Sequence, residues 1–254
     1  MTPALPRTNF HGSTLIRHLA DLAVVDAAEP VDGFAEKLGQ WIHFADAITL
    51  SAVHAEAVRG SRAMTGAPLN EIRVRAAAEF DRMRNAMQES IAKSFSPDAG
   101  KSHIKLPTLL PELPLEPKTA YPPYRRFYAA HQRDMELGLQ PLRVNLREAL
   151  AKSSARGAKL AELDATFEKI LRERESRLLA RVPALLARRF GQLVDEHRQA
   201  LAAAGQDDNP AGWMKPGGWL ARFCGDMRTL LLAELELRLQ PAMGLMEALN
   251  QDTQ

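Results

Sequence analysis

Cysteine is almost absent from this chain of 254 residues, with Cys224 as the only one. One thiol excludes an intramolecular disulfide and a cysteine-based zinc site, and this usage is typical of a reducing cytosol. Cys224 follows Phe223 on the apolar side of a predicted helix, so we interpret it as a small core residue rather than a nucleophile.

Long hydrophobic runs are also absent. The apolar stretch from Leu19 to Val25 is short and interrupted by Asp21, which is not the pattern of a secretory signal. No window reaches the roughly 18 to 20 consecutive apolar residues of a membrane-spanning helix. The sequence therefore predicts a cytoplasmic protein without a membrane span.

Neither a charge excess nor a common catalytic motif is present. Lys and Arg number 33 against 31 Asp and Glu, so no overall field favours DNA or an anionic membrane. The sequence contains no phosphate-binding glycine loop, no G-x-S-x-G elbow and no H-E-x-x-H pair. We therefore expect no enzymatic activity, no cofactor and no metal site.

The hydrophobic pattern is helical throughout, and no window shows sustained alternation of period two. It predicts an all-α fold of long antiparallel helices, in a bundle or a coiled-coil-like arrangement. We expect one long helix over 159–201, carrying a seam of apolar residues, to be the element around which the chain is organised. The seam comprises Leu160, Leu163, Phe167, Ile170, Leu171, Leu178, Val182, Leu185, Leu186, Leu193 and Val194.

The remaining helices are predicted from the same spacing and from capping residues. They run from Ser13 to near Val25, from Asp32 to about Arg59, from Asn70 to Ser96, from about Arg125 to Ser153 and from Trp219 to Asn250. In the second of these, Ile48 falls on the predicted core side. Pro141, Pro183 and Pro241 lie inside predicted helices, where proline bends the axis.

Residues 96–123 contain seven prolines interleaved with leucines, which excludes a helix or an inner strand there. This composition favours an extended strap whose leucines, Leu106 among them, lie on the helical surface, with a loose tether as the alternative. It also predicts the division of the chain: an N-terminal helical lobe at 1–95, the strap at 96–123 and a C-terminal long-helix bundle at 124–254.

Two pairs of polar residues could hold a metal or act in acid-base chemistry. His43 and Asp46 lie three residues apart with His54 farther along the same predicted helix, and His131 and Asp134 repeat that spacing. A zinc site needs three or four converging ligands, so we interpret these histidines as solvated or hydrogen-bonded residues on the surface.

Four arginines are the strongest candidates for a binding function. Arg174, Arg177, Arg181 and Arg188 recur at three, four and seven residues along the predicted 159–201 helix. From 124 to 203 the chain carries 16 Lys and Arg against 10 Asp and Glu. Such a face can bind an acidic protein or nucleic acid. The neighbouring acids at 168, 173 and 175 also fit a solvated, salt-bridged helix.

A second candidate is the turn at 206–219, which contains Trp213 and Trp219 around a Pro-Gly-Gly tip. Tryptophan is enriched at interface hot spots, so both rings are predicted to contribute to partner binding. The alternative is that the rings fill the end of the bundle.

Several segments along the chain share a pattern of helix-packing residues: Tyr124–Met135, Leu142-Arg143, Leu163–Ala165, Arg181–Phe190, Phe34–Trp41 and Asp46–Leu50. Together they resemble an uncharacterised family of all-helical cytosolic proteins from proteobacteria. The resemblance implies a gene neighbourhood with membrane proteins of the motor and energiser type, related to the flagellar stator or the TolQ and ExbB group. It also implies a neighbouring OmpA-like peptidoglycan binder. It supplies no catalytic residues.

These observations favour a non-enzymatic helical adaptor that binds other proteins, as the cytosolic accessory of such a membrane complex. The alternative is sequence-nonspecific binding of nucleic acid by the same arginines, which salt would weaken steeply. Homodimerisation through the long helices is compatible with both.

Overall fold

A computed structural model describes residues 13–22, 44–55, 67–96, 102–108 and 115–251. These residues form helices and loops without any strand, which confirms the predicted all-α class. The helices are α1 Thr14–Asp21, α2 Phe44–Ala55, α3 Ala67–Ser94, α4 Pro117–Ala120, α5 Pro122–Ser153, α6 Ala155–Leu179, α7 Val182–Ala204 and α8 Trp219–Gln251, with a 3-10 turn at Pro210–Gly212.

The directions of the long helices follow from their cross-contacts. Asn145 of α5 reaches Glu79 of α3 at 2.6 Å, whereas His131, earlier in α5, reaches Ser94 at the end of α3. Residues later in α5 therefore contact residues earlier in α3, so the two helices run antiparallel. The same pattern relates α5 to α6 and α7 to α8. The described long helices therefore form a bundle of four rods whose directions alternate in chain order: α3, α5, the pair α6 and α7, and α8.

Helices α5 and α8 lie at the centre of the bundle. Helix α8 contacts α1, α3, α5, α6 and α7, and α5 contacts α3, α4, α6, α7 and α8. The expectation that residues 159–201 form the central element was wrong. Helix α6 lies at the side, so parts of its apolar seam stay accessible, with Leu160 and Leu178 exposed. Helix α2 packs mainly on α6, and its Ile48, predicted to face the core, is 56% exposed.

The predicted single helix over 159–201 is divided in two at Ala180 and Arg181. Pro183 has no N–H, so the carbonyl of Leu179, four residues earlier, has no helical donor. The side-chain amide of Gln132 in α5 donates to that carbonyl at 2.9 Å, and the Tyr121 hydroxyl donates to the carbonyl of Pro183. Contacts from a neighbouring helix therefore stabilise the break.

Other prolines affect helix boundaries differently. Pro141 and Pro241 lie inside the continuous helices α5 and α8. Pro122 and Pro123 occupy the first turn of α5, where the backbone N–H groups have no helical acceptor and the missing donor costs nothing. For this reason α5 begins three residues before the predicted Arg125.

The described parts of the proline-rich segment pack against the bundle. Ile104 and Leu115 are buried, and Leu106 packs against the core while its N–H donates to the carbonyl of Ser94 at 3.2 Å. Residues 102–108 match an extended strap. The expectation that 96–123 contains no helix was wrong, because Pro117–Ala120 forms α4 and Pro122 begins α5, with proline in the first turn of each. Residues 97–101 and 109–114 lie outside the described residues. The division at 1–95, 96–123 and 124–254 stays a prediction, and Leu15 and Phe80 share one core cluster with the C-terminal helices.

No helix among the described residues combines the length and the apolarity needed to cross a membrane.

His131 is a buried histidine beneath the strap. The Ser94 hydroxyl donates to the carbonyl of Ile91 at 2.7 Å, so it accepts from His131 Nε2–H at 2.9 Å. The ring packs edge-on against Phe127 at 4.9 Å. Burial lowers the pKa of His131 to about 4, against a smaller opposing effect of Asp134. The histidine is therefore a neutral hydrogen-bonded core group, and the predicted surface position of His131 was wrong because its helix packs against α3 at this point.

We expect acid to destabilise the fold through His131. Below about pH 6.5 the unfolded chain binds a proton at this ring that the folded chain does not bind until about pH 4. The contribution of His131 to the free energy of unfolding should therefore fall by about 2 kcal/mol between pH 7 and pH 5. Urea denaturation followed by circular dichroism measures the free energy of unfolding at each pH. In His131→Leu, the fall of about 2 kcal/mol due to this ring should be missing.

The matched control is His103→Gln, which removes an exposed imidazole 3.4 Å from Asp134 and leaves His131 in place. Burial is the largest cause of the lowered pKa of His131 and the charge of His103 is a smaller one, so this variant should keep most of the pH dependence of the parent. If the free energy of unfolding fell equally between pH 7 and pH 5 in the parent and in His131→Leu, His131 would not be the source of the acid destabilisation.

Candidate partner-binding surface

Exposed arginines and one exposed leucine surround the break between α6 and α7. We define the arginine surface as Arg177, Leu178, Arg181 and Arg188. Arg177 pairs with Glu173 one turn earlier, and both side chains are largely exposed, so this ion pair contributes little stability. Arg181 and Arg188 are exposed and have no ion-pair partner in the described part of the chain. Leu178 lies between the arginines and is 47% exposed.

Arg174, the fourth predicted arginine, is placed differently. It is half-buried and lines a groove of about 400 Å³ between α2 and α6, together with Asp46 and Thr49. All three of these residues are engaged in interactions there. The structure therefore places Arg174 beside α2, in a groove that Arg177 of the arginine surface also lines.

Two acidic residues of α6 point toward α5 and do not neutralise the arginine surface. Asp164 accepts from Arg143 Nε at 2.9 Å and from Arg147 Nε at 2.7 Å, and Glu168 accepts from Arg147. Burial of Arg147 lowers its pKa, but the hydrogen bonds to Glu168 and Asp164 raise the pKa more, and the net change is upward. Asp164 and Glu168 therefore link α6 to α5 through hydrogen-bonded ion pairs.

A buried polar cluster lies beside the break. The Glu234 carboxylate of α8 is 0% exposed and accepts from Tyr128 at 2.9 Å, from Gln132 at 3.0 Å and from Arg238 Nε at 2.9 Å. Burial and the nearby Glu234 charge raise the pKa of Tyr128 well above its ordinary value. Because Gln132 also donates to Leu179, this cluster links α5, α8 and the end of α6.

Sequence reasoning missed the buried cluster. Glu234 and Arg238 lie four residues apart, the spacing of an ordinary surface pair. The available signal was the position of Glu234 in the apolar run of α8, between Ala233 and Leu235.

A small polar cavity adjoins this cluster between α5, α6 and α8. Its volume of about 70 Å³ has room for a few water molecules. It is lined by both signs of charge, including Arg143, Arg172, Arg238, Glu136, Glu168 and Glu175. Arg172 lies 3.7 Å from Glu136, so some of these charges compensate each other within the lining.

The histidines and the cysteine provide no assembled chemical site where the structure describes them. No group of three His, Cys, Asp or Glu side chains is arranged for a metal ion among the described residues. His43 and the side chain of His54 lie outside those residues. Cys224 is buried, and burial raises the pKa of its thiol to about 12.

The tryptophan turn closes one end of the bundle. Trp213 and Trp219 are 3% and 4% exposed, and their ring centroids lie 5.5 Å apart. Trp213 Nε1 donates to Asp208 Oδ1 at 2.8 Å. This placement matches the alternative in which the rings fill the bundle end, and a direct contact of either ring with a partner stays a prediction.

Comparison with known proteins gives a family match. A search of curated proteins and a search of solved structures found no match. Residues 1–251 match the family described as "Protein of unknown function (DUF3348)". This match covers nearly the whole chain and confirms the resemblance to an uncharacterised family. The chain belongs to the DUF3348 family.

Proposed function

We propose that this chain is a non-enzymatic helical adaptor that binds another protein through the arginine surface. The observation that carries the proposal is an exposed leucine, Leu178, flanked by Arg177 and Arg181 at a helix break. Protein interfaces combine an apolar contact that becomes desolvated with arginines that form hydrogen bonds. The break is stabilised by Gln132 from α5, so this geometry is present before a partner binds.

The charge of the surface favours an acidic partner. Arg181 and Arg188 have no ion-pair partner in the described part of the chain, and Glu173 compensates Arg177 only in exposed surroundings. A carboxylate-bearing helix or surface would supply the missing counter-charges and would accept bidentate hydrogen bonds from guanidinium groups.

The resemblance noted for the sequence supports a more specific partner. We propose that the acidic surface belongs to a membrane complex of the motor or energiser type, related to the flagellar stator or to TolQ and ExbB. The chain would then be an accessory protein on the cytosolic side of that complex.

A photo-crosslinking residue at position 178 tests the proposal. We expect a crosslinked protein partner in native cells when the photo-reactive residue replaces Leu178. The matched control is the same residue at Leu137 of α5, which is 67% exposed and lies outside the arginine surface. Arg181→Glu with Arg188→Glu should abolish the crosslink. Arg75→Glu with Arg82→Glu, the same charge change at exposed arginines of α3, should leave it intact.

Two results would contradict the proposal. One is equal crosslinking from positions 178 and 137, and the other is a crosslink that survives charge reversal at Arg181 and Arg188. Gel retardation of nucleic acid at low salt, lost steeply as salt rises and abolished by the same reversal, would favour the nucleic-acid alternative.

A further inference from the structure

One side of α5 is exposed along the middle of the helix. Leu137 and Val144 are 67% and 42% exposed, and Gln140 and Pro141 between them are also exposed. These four positions have the i, i+3, i+4 and i+7 spacing of neighbours on one side of a helix, which is the set that makes contact where two helices cross. None of the four side chains carries a charge, so no ion has to be desolvated when another helix covers them.

This side of α5 stands forward of the neighbouring helices. Asn145 contacts Glu79 of α3, whereas Arg143, on the opposite side of α5, contacts Asp164 of α6. Both α3 and α6 also contact α8, which packs on the buried side of α5. Helices α3 and α6 therefore lie back from the exposed side between them, and that side is accessible to a helix of another molecule.

Charged residues lie at both ends of the exposed row. Arg133 comes four residues before Leu137, is exposed and makes no ion pair in the described part of the chain. Glu148 comes four residues after Val144 and lies 3.9 Å from Lys152, with both side chains 64% exposed, so that pair contributes little stability. A cation and an anion therefore stand at equal distances from the centre of the row. We define the α5 face as Arg133, Leu137, Gln140, Pro141, Val144 and Glu148.

Two copies of the α5 face match each other when they are antiparallel. Residues equally far from the centre between 140 and 141 then meet, so Leu137 contacts Val144 of the second copy and Arg133 contacts its Glu148. Two-fold symmetry forms each of these contacts twice. A parallel pair would instead place Arg133 on Arg133 and Glu148 on Glu148, which is unfavourable.

We propose that the α5 face binds a second copy of this chain as an antiparallel helix pair, with the two-fold axis between Gln140 and Pro141. A partner of a single charge sign would be attracted to one end of the face and repelled by the other, whereas a second copy offers both signs at the required positions. One helix pair buries less than the roughly 800 Å² per partner of a standard interface, so the dimer dissociates on dilution. The inference does not depend on the proposed function, since the arginine surface shares no residue with the α5 face.

Sedimentation equilibrium of the purified full chain over a range of concentrations tests the inference. The average mass should rise with concentration from 28.1 kDa toward twice that value. Val144→Glu places a carboxylate against Leu137 of the second copy and should keep the chain monomeric throughout the range. The matched control is Val74→Glu, the same change at a 61% exposed valine of α3, which should leave the association unchanged.

Charge reversal tests the antiparallel register. Arg133→Glu should weaken association about tenfold, because two attractive pairs become repulsive, and Glu148→Arg should do the same. Combining both reversals restores opposite charges at each end, so the double variant should associate about as tightly as the parent. A parallel pair would not be rescued in this way. Circular dichroism checks the folding of each variant.

A mass of 28.1 kDa at every concentration would overturn the inference. So would dimerisation that survives Val144→Glu, an equal loss of association in Val74→Glu, or a double variant that associates no better than the single reversals. Arg181→Glu with Arg188→Glu should leave self-association unchanged, so failure at the α5 face is distinguishable from failure at the arginine surface. In the crosslinking experiment, position 137 should link two copies of the chain, a product that its mass distinguishes from the different protein expected at position 178.

Discussion

Arg238→Met should lower the free energy of unfolding by about 3–5 kcal/mol, the cost of leaving a buried charge uncompensated. Arg238 donates to the fully buried carboxylate of Glu234 at 2.9 Å, and methionine fills similar volume without any charge. Tyr128 and Gln132 still donate to that carboxylate in the variant, but neither brings a positive charge. Urea denaturation at pH 7, followed by circular dichroism, measures the loss.

Two further variants separate burial from charge. Arg172→Met removes a half-exposed partner 3.7 Å from Glu136 and should cost less than about 1 kcal/mol. Adding Glu234→Gln to Arg238→Met removes the uncompensated charge and keeps an oxygen acceptor for Tyr128, so the double variant should be more stable than Arg238→Met alone. If Arg238→Met lowers the free energy of unfolding no more than Arg172→Met does, the ion pair of Glu234 and Arg238 does not behave as a buried one.

Phe190→Ala should also cost about 3–5 kcal/mol, as truncation of a large buried aromatic side chain does. The ring is fully buried, and its centroid lies 5.0 Å from that of Phe223 and 5.3 Å from that of Trp219. It also contacts the rings of Tyr121 and Tyr124, so one truncation removes packing from α5, α7 and α8. Urea denaturation measures the loss, and tryptophan fluorescence reports the changed surroundings of Trp219.

Leu137→Ala is the control for Phe190→Ala because Leu137 is 67% exposed on α5. It should change the free energy of unfolding by no more than about 0.5 kcal/mol. A loss below about 1 kcal/mol for Phe190→Ala would show that the aromatic cluster does not hold the three helices together.

Local periodicity was enough to predict most helices and part of the core. Helical spacing predicts an apolar stripe on α3, of which Ala76, Phe80 and Ile91 are buried, whereas its other members, Ile72, Met83 and Met87, are half-buried. Helix α8 begins at the predicted Trp219 and ends one residue after the predicted Asn250. These features depend on residues within a few helical turns of each other, so they can be predicted from the local sequence.

The candidate site was only partly predictable. The exposure of Arg181 and Arg188 follows from the polar side of a helix. The exposure of Leu178 does not, because leucine at seam spacing predicts burial, and only the peripheral position of α6 leaves it accessible. Whether an arginine of α6 forms an ion pair likewise depends on the acidic residues of α6 that remain unpaired after α5 has packed against it. Asp164 and Glu168 pair with arginines of α5, which the helix sequence alone does not show.

The sequence by itself determined the helical class, the glycine-dependent turn after α7 and the single thiol, because each depends on local backbone chemistry or on composition. Tertiary structure decided that α5 and α8 are the central helices, that Pro183 interrupts the predicted 159–201 helix and that Glu234 is buried with Arg238. At the break the carbonyl of Leu179 accepts from Gln132 of α5, and the buried carboxylate of Glu234 accepts from Tyr128 of the same helix. Such long-range partners are brought together only when the rods pack.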